Sequence, residues 1–338
     1  MPPAVPFAGG DPTPPPHIPV MVDEVRRLAG VCAGDIVVDG TFGAGGHARV
    51  LAADLAGAGT YIGVDRDPSA EARFAAFAAE VDPLATRFVR APFPEAFAQL
   101  EAEGLSADVV ILDIGVSSMQ LDEVERGFAY SRDAPLDMRM DPSSGVSASE
   151  LVATADEGEL ARILREYGEE RYARRIANAL VRQREVAPIT RTSELVDVVL
   201  GAIPVAARYA PGGHPAKRTF QALRIAVNDE LGMLDVGLDA AFELLAPDGR
   251  LVVMSFHSLE DRMVKRRFEA WRGSCVCPPG LPICACGAMS RATTITRGAE
   301  RPTEDEMESN SRATPTRLRA VRRIEPPVPV ADVERRPR

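Results

Sequence analysis

The chain has 338 residues, enough at ~150 residues per domain for about two domains, so a small disulfide-stapled scaffold is excluded. Its 39 Lys and Arg against 49 Asp and Glu leave a net charge of −10, and any contact with nucleic acid must therefore come from local basic patches rather than a global field. No apolar run approaches the ~18 residues of a membrane span.

Residues 1–16 are rich in Pro and Ala and lack both a basic start and an apolar stretch. They read as an unstructured lead-in rather than a secretory signal, which predicts a cytoplasmic protein. From Ile36 the pattern becomes strand, glycine turn, helix, strand: Ile36 to Asp39, then Gly40 to Gly46, a helical run from His47 to about Leu55, and Tyr61 to Asp65. This is one βαβ unit, and its crossover dictates parallel pairing. An Ala-rich helix (Ser69 to Glu80), a short strand around Arg87 to Val89, and the apolar run Ala107 to Asp113 continue the theme. A run that apolar predicts a strand covered on both faces, so the fold class is α/β, a doubly wound sheet.

The alternation stops between Glu123 and Gly213, where helices at Asp156–Tyr167, Glu169–Arg184 and Ser193–Leu200 predict a helical insertion. A long helix from about Lys217 to Leu245 follows, with Leu223, Val227, Leu231, Leu234, Leu238, Phe242 and Leu245 at three- and four-residue steps. The Pro247-Asp248-Gly249 turn then returns the chain to the sheet at Arg250 to Phe256, and the stretch from Arg291 is polar with a basic end. The domains implied are 17–122 with 214–338, interrupted by the insertion at 123–213.

A glycine turn between strand and helix brings backbone N–H groups close to a ligand. Gly43-Ala44-Gly45-Gly46-His47-Ala48 fits G-x-G-x-x-A, and Asp65 stands where a ribose diol would be held, so a nicotinamide dehydrogenase is one reading and a tight packing turn another. Asp39, ending the first strand, would repel a pyrophosphate. It suits a cationic ligand, and S-adenosylmethionine carries a sulfonium and an ammonium with no phosphate. A nicotinamide enzyme would also need a second catalytic domain that the sequence does not offer.

Several longer motifs occur in order: Asp39-Gly40-Thr41-Phe42-Gly43-Ala44-Gly45-Gly46-His47, Leu112-Asp113-Ile114-Gly115-Val116-Ser117-Ser118, Arg126-Gly127-Phe128, Pro135-Leu136-Asp137-Met138-Arg139-Met140-Asp141, Tyr167-Gly168-Glu169-Glu170-Arg171, His214-Pro215-Ala216-Lys217-Arg218-Thr219-Phe220-Gln221, and Ser255-Phe256-His257-Ser258-Leu259-Glu260-Asp261. Over residues 17 to 270 the chain resembles the bacterial small-subunit ribosomal RNA cytosine-N4 methyltransferase family, also called MraW or RsmH. That resemblance implies a Rossmann-like class I methyltransferase with a helical substrate domain, acting on a decoding-region cytidine of 16S ribosomal RNA in the small subunit. It implies S-adenosylmethionine contacts at Gly45, Gly46, His47, Asp65, Phe93, Asp113 and Gln120. Met119 departs from the family's usual Pro, and Asn310 to Pro315 echo its tail motif only loosely.

Asp113, ending the fourth strand, is the candidate catalytic acceptor for the cytosine amine, although a role in cofactor contact alone is the blander alternative. Ser117, Ser118, Phe128, Arg218 and His257 are candidate substrate contacts; a lone His is commonly a hydrogen-bonded structural residue, and Arg218 equally suits an ion pair. The arginines of 162–184 and 262–272 read as solvated helix faces or as the local positive surface that RNA requires. Cys275, Cys277, Cys284 and Cys286 form two C-x-C pairs, compatible with a structural zinc, a reduced redox-labile cluster or, less simply, disulfides. A ribosome-assembly factor with a vestigial pocket is the reading from another functional class, disfavoured by three aspartates that all end strands.

Overall fold

The computed structural model describes residues 19–209, 213–277, 286–310 and 312–333, so the lead-in expected at 1–16 and Cys284 lie outside the described residues. In the N-terminal third, helices and strands alternate: α1 (Val22–Ala29), β1 (Ile36–Asp39), α2 (Gly46–Asp54), β2 (Thr60–Asp65), α3 (Ser69–Glu80), β3 (Ala85–Arg90), α4 (Phe93–Ala102) and β4 (Ala107–Asp113). Then come α5 (Ser118–Asp122), α6 (Ala148–Thr154), α7 (Glu157–Glu166), α8 (Ala173–Val186), α9 (Thr192–Ala202), α10 (Val205–Arg208), α11 (Lys217–Asn228) and α12 (Glu230–Leu244). The chain closes with β5 (Leu245–Ser255), α13 (Ser258–Arg272), β6 (Met289–Thr294), α14 (Glu304–Ser309), β7 (Arg317–Pro329) and α15 (Val330–Val333).

One seven-stranded sheet has the order β3-β2-β1-β4-β5-β7-β6. Neighbouring strands among β1 to β5 pair in parallel, and β7 runs antiparallel to both β5 and β6. The central strands are apolar on both faces because each face has its own core. Val110 and Leu112 of β4 join Phe97, Leu238, Phe242 and Trp271 on one side, while Val109 and Ile111 join Leu51, Tyr61 and Phe77 on the other.

A third core lies in the helical region, built from Leu160, Leu164, Ile176, Leu180, Leu195 and Val199. It also takes Phe220, Ala222 and Leu223 from α11, so its packing runs past residue 213. No helix among the described residues is long and apolar enough to cross a membrane.

Three expectations need correction. The single helix expected from Lys217 to Leu245 is two helices broken at Asp229, which is left-handed (φ 48). Leu223 faces the third core and Leu234, Leu238 and Phe242 the first, so an unbroken apolar rhythm spans a change of partner. The break is held by Asn228, whose side-chain amide donates to Met138 O (2.7 Å) and Arg224 O (2.9 Å) and accepts from Met140 N–H (2.7 Å).

The helix expected to start at Glu169 starts at Ala173. Glu169 is left-handed (φ 47), and the turn before it needs Gly168, where a Cβ would lie 2.7 Å from Arg218 O and 2.8 Å from Leu164 O. The polar tail holds β6 and β7, which the sequence reading omitted. Arg319 of β7 pairs with Asp261, and Arg323 donates to the carbonyls of Phe242, Glu243 and Leu245, so the charges of this strand are absorbed by distant partners. The Pro247-Asp248-Gly249 turn is present as an outward loop inside β5, where pairing with β4 jumps from Ala107–Leu245 to Val109–Arg250.

Candidate active site

The carboxyl ends of β1, β2 and β4 open into a cavity of about 1160 Å³, closed on the far side by Lys217, Phe220, Gln221 and Arg224 of α11. A crevice at strand carboxyl ends is where doubly wound sheets hold their ligands, because the loops there are free to vary while the strands fix their origins. Asp39, Asp65 and Asp113 each end a strand and each line this cavity.

Gly43 and Gly45 of the turn after β1 adopt φ of 55° and 72°. Gly43, Ala44, Gly46 and His47 line the cavity, whereas a Cβ on Gly45 would strike the Phe42 ring at 2.7 Å, so that glycine serves close packing beneath the turn. Asp65 accepts from Gly43 N–H and Asp67 N–H, both at 2.8 Å, and thereby ties the turn to the end of β2. A carboxylate has about four lone-pair sites, so two stay available for a ribose diol. Phe93 opens α4 on the cavity wall and fits against Gly237 of α12, where any Cβ would collide with its ring.

Asp39 is 3% exposed. Its carboxylate accepts from the Tyr61 hydroxyl (2.9 Å) and Thr41 N–H (3.1 Å), and burial still pushes its pKa up to about 7. Asp113 is pushed up to about 7 as well, first by burial and then by the charges of Asp39 and Glu260. Its side chain as a whole keeps 36% of its exposure, but Oδ1 is buried and has no hydrogen-bond partner among the described residues. The Thr41 hydroxyl accepts from Asp113 N–H at 2.6 Å, and His47 Nε2 stands 3.8 Å from Asp113 Oδ2. Buried carboxylates at the mouth of a parallel sheet call for a cation, and a bound sulfonium and ammonium supply two.

Gln120 is buried on the cavity wall, but its amide is engaged within the protein: Nε2 donates to Asp67 (2.9 Å), and Oε1 accepts from Ser117 N–H (3.1 Å). Ser117 caps α5 by accepting from Gln120 N–H. The side chain of Ser118 lies outside the described residues. Phe128 is buried on the wall with the Arg126 guanidinium 5.9 Å from its ring centre.

His257 also lines the cavity, yet its nitrogens turn to its own helix. Nδ1 accepts from Glu260 N–H (3.4 Å), and Nε2 lies 3.0 Å from Glu260 Oε1. Arg218 is not on the cavity wall; its guanidinium donates to Glu169 O (2.9 Å) at the surface. The structure therefore gathers Asp39, Gly46, His47, Asp65, Phe93, Asp113, Ser117, Gln120, Phe128 and His257 around one cavity and leaves Gly45 beneath it and Arg218 outside it.

Sequence reasoning missed the residues that hold these in place. Asp67 accepts from Gln120, Arg126, Ser69 N–H and the Ser69 hydroxyl, and although burial opposes its charge, these donors keep its carboxyl below the ordinary range. Arg126 reaches on to Arg139 O and Met140 O, joining two of the ordered motifs through one guanidinium. Glu230, paired with Arg224 at 2.7 and 2.8 Å, lines the cavity near His257, and the fully buried Glu260 lies behind it, with carboxylate and ring atoms of the three within 4.8 Å of one another. Burial opposes the charge of Glu260, but His257, Arg224 and Phe256 N–H outweigh it and hold the carboxyl down. Glu169 binds Ser258 and Arg262, bringing the Tyr167 motif to the His257 motif. The hint in sequence was that Arg126, Glu169 and Glu260 lie inside the motifs already singled out; Asp67 and Glu230 lie outside them and carried no such mark.

The strand order, the glycine turn and the acidic strand ends define an S-adenosylmethionine-dependent methyltransferase of the Rossmann-like class. Residues 15–324 match the family model described as the MraW methylase family, and the chain belongs to that family. A protein named ribosomal RNA small subunit methyltransferase H from Heliobacterium modesticaldum is 51% identical over 310 residues, covering 91% of this chain and 98% of that one. Proteins of the same name from Heliobacterium mobile and Symbiobacterium thermophilum are 47% and 46% identical over 312 residues, each covering 91% of this chain, with 99% and 97% of their own lengths matched. Among solved structures, a putative rRNA methylase from Clostridium thermocellum aligns over 90% of this chain and 95% of that one, with a TM-score of 0.40 and 11% identity.

Proposed function

We infer that this protein methylates the N4 amine of a cytidine in the 16S RNA of the small ribosomal subunit, with S-adenosylmethionine as methyl donor. Relatives matched across nearly their whole length are named ribosomal RNA small subunit methyltransferase H, a name that gives small-subunit ribosomal RNA as their substrate. The observation that carries the chemistry is Asp113 Oδ1, an acceptor buried at the end of β4 without a hydrogen-bond partner among the described residues.

The bound cofactor supplies an electrophilic methyl on a sulfonium; what remains for the protein is position. Asp65 and the Gly43–Gly46 turn would hold the ribose side of the cofactor, Asp39 and Asp113 would balance its positive charge, and Phe93 would cover it. Asp113 accepts an N–H of the cytosine amine, draws the nitrogen out of conjugation with the ring, and takes its proton as the methyl arrives. Phe128 stacks on the extruded base, with Ser117 and Ser118 shaping the loop beside it.

Methylation at C5 would instead need a thiolate to attack the ring, and among the described residues no cysteine lines the cavity. The helical region at 123–213 takes the RNA, and its exposed Arg174, Arg175 and Arg182 on α8 have no carboxylate partner among the described residues. Arg162 and Arg165 are paired with Glu159 and Glu166, and Arg184 with backbone carbonyls. We place the reaction on the small subunit in the cytoplasm.

The test is methyl transfer to purified small subunits from cells lacking this protein, read by mass spectrometry of the released nucleosides. N4-methylated cytidine is the expected product. A C5-methylated product, or a trapped covalent adduct between protein and RNA, overturns the assignment.

A further inference from the structure

Methyl transfer as derived above makes no use of the cysteines between α13 and β6, yet they converge. Cys275 and Cys277 follow the end of α13 at Gly273, Cys286 stands three residues before β6, and their three sulfur atoms all lie within 4.8 Å of one another. Cys275 is exposed and the other two are half-buried, so removal of apolar side chains from water does not account for the gathering.

The Sγ atoms of Cys275 and Cys286 are 3.7 Å apart. A disulfide holds its sulfurs at ~2.05 Å, so this pair is not bonded. Tetrahedral zinc holds thiolates at ~2.3 Å, and two corners of a tetrahedron stand 1.63 bond lengths apart, or about 3.8 Å. The observed separation is that edge. A multi-iron cluster spreads its ligand sulfurs over several metal atoms and needs wider spacing than this group has.

We propose that Cys275, Cys277 and Cys286 bind one Zn²⁺ as thiolates, giving up their protons to solvent on binding. The zinc is a structural clip. It closes the loop between α13 and β6, whose ends already meet where Gly273 packs so tightly against Met289 O that a Cβ would lie 2.6 Å from it. Strand β6 is the sheet's edge and among the described residues pairs only with β7, so fastening its entry limits fraying there.

The full chain, purified and desalted in reducing buffer, should retain about one zinc per chain by elemental analysis. Cys275→Ser, Cys277→Ser and Cys286→Ser should each lose it, and Cys32→Ser, on the far side of the sequence before β1, should keep it. Stripping the wild type with a chelator should lower its melting temperature, and Zn²⁺ alone should restore it. Co²⁺ added to the stripped wild type should give thiolate-to-cobalt charge-transfer absorption, a readout that does not depend on any variant folding. Wild-type protein with neither zinc nor a cobalt–thiolate spectrum, iron in place of zinc, or zinc retained by any of the three serine variants would overturn the proposal. Methyl transfer is measured separately, so failure here leaves the functional reading untouched.

Discussion

Asp113→Asn should make the cofactor-free protein more stable while removing most of its activity. The carboxyl is raised from 3.8 to about 7, a little over three pH units. At ~1.36 kcal/mol per unit that gives an upper bound of roughly 4 kcal/mol. The side chain keeps 36% of its exposure, so solvent screening reduces the expected gain to roughly 1–2 kcal/mol. The sign follows from proton counting. Between pH 4 and 7 the folded protein holds a proton that the unfolded chain has released, so wild-type stability falls as pH rises through that window, and the full cost is present above it. Asn carries no titrating group, so the gap between variant and wild type should open from about pH 4 and level off above about pH 7.

Urea unfolding at several pH values without cofactor measures this gap. Turnover should drop by ~10²-fold or more, the scale of losing one preorganised electrostatic contact. A variant no more stable than wild type at pH 8, or a gap that ignores pH, would refute the claim that burial destabilises this charge. A fall in S-adenosylmethionine affinity as large as the fall in turnover would make Asp113 a cofactor ligand only.

Asp65→Ala removes the acceptor of Gly43 N–H as well as the proposed ribose contact, and should weaken S-adenosylmethionine binding by ~1.5–3 kcal/mol in calorimetry; unchanged affinity would disconnect the end of β2 from the cofactor. Because Asp39 and Asp113 are both raised to about 7, a cationic cofactor should expel protons as it binds near neutral pH. Affinity should therefore rise with pH up to about 7 and the binding heat should depend on the buffer's ionisation enthalpy, whereas buffer-independent heats would count against these carboxyls as the cation's partners. Replacing Arg174, Arg175 and Arg182 together by Ala should weaken binding to small-subunit RNA and flatten its salt dependence by up to about three counterions while sparing cofactor affinity; an unchanged salt slope would move the RNA surface elsewhere.

The parallel half of the sheet was legible because β1, β2, β4 and β5 are covered on both faces, and burial on both faces leaves a local mark: an unbroken apolar run that stops at a polar residue. The candidate site was legible for the same reason, since Asp39, Asp65 and Asp113 are the residues at which those runs stop. Strand β7 leaves no such mark. Its Arg319 and Arg323 are stabilised by Asp261 and by carbonyls of the α12–β5 junction some sixty to eighty residues earlier, and polarity satisfied at that distance looks like a solvated tail.

The break at Asp229 was hidden for the complementary reason. A single left-handed residue shifts which core a helix faces without interrupting the three- and four-residue spacing of its apolar side chains, and only Asn228-Asp229, two residues that tolerate such a turn, marks the place. The same limit governs the chemistry. A sequence can show that Asp113 ends a strand, but its proton affinity depends on Asp39 and Glu260 and on the depth of the cavity that α11 closes, all set by the tertiary fold. Asp39 shows the consequence most plainly: its expected place beside the cofactor rested on its charge and its position at the end of the first strand, while the structure gives its two oxygens to Tyr61 and Thr41 and keeps it buried on the cavity wall. Residue type fixes what a group is able to do; its neighbours decide at what pH it does it.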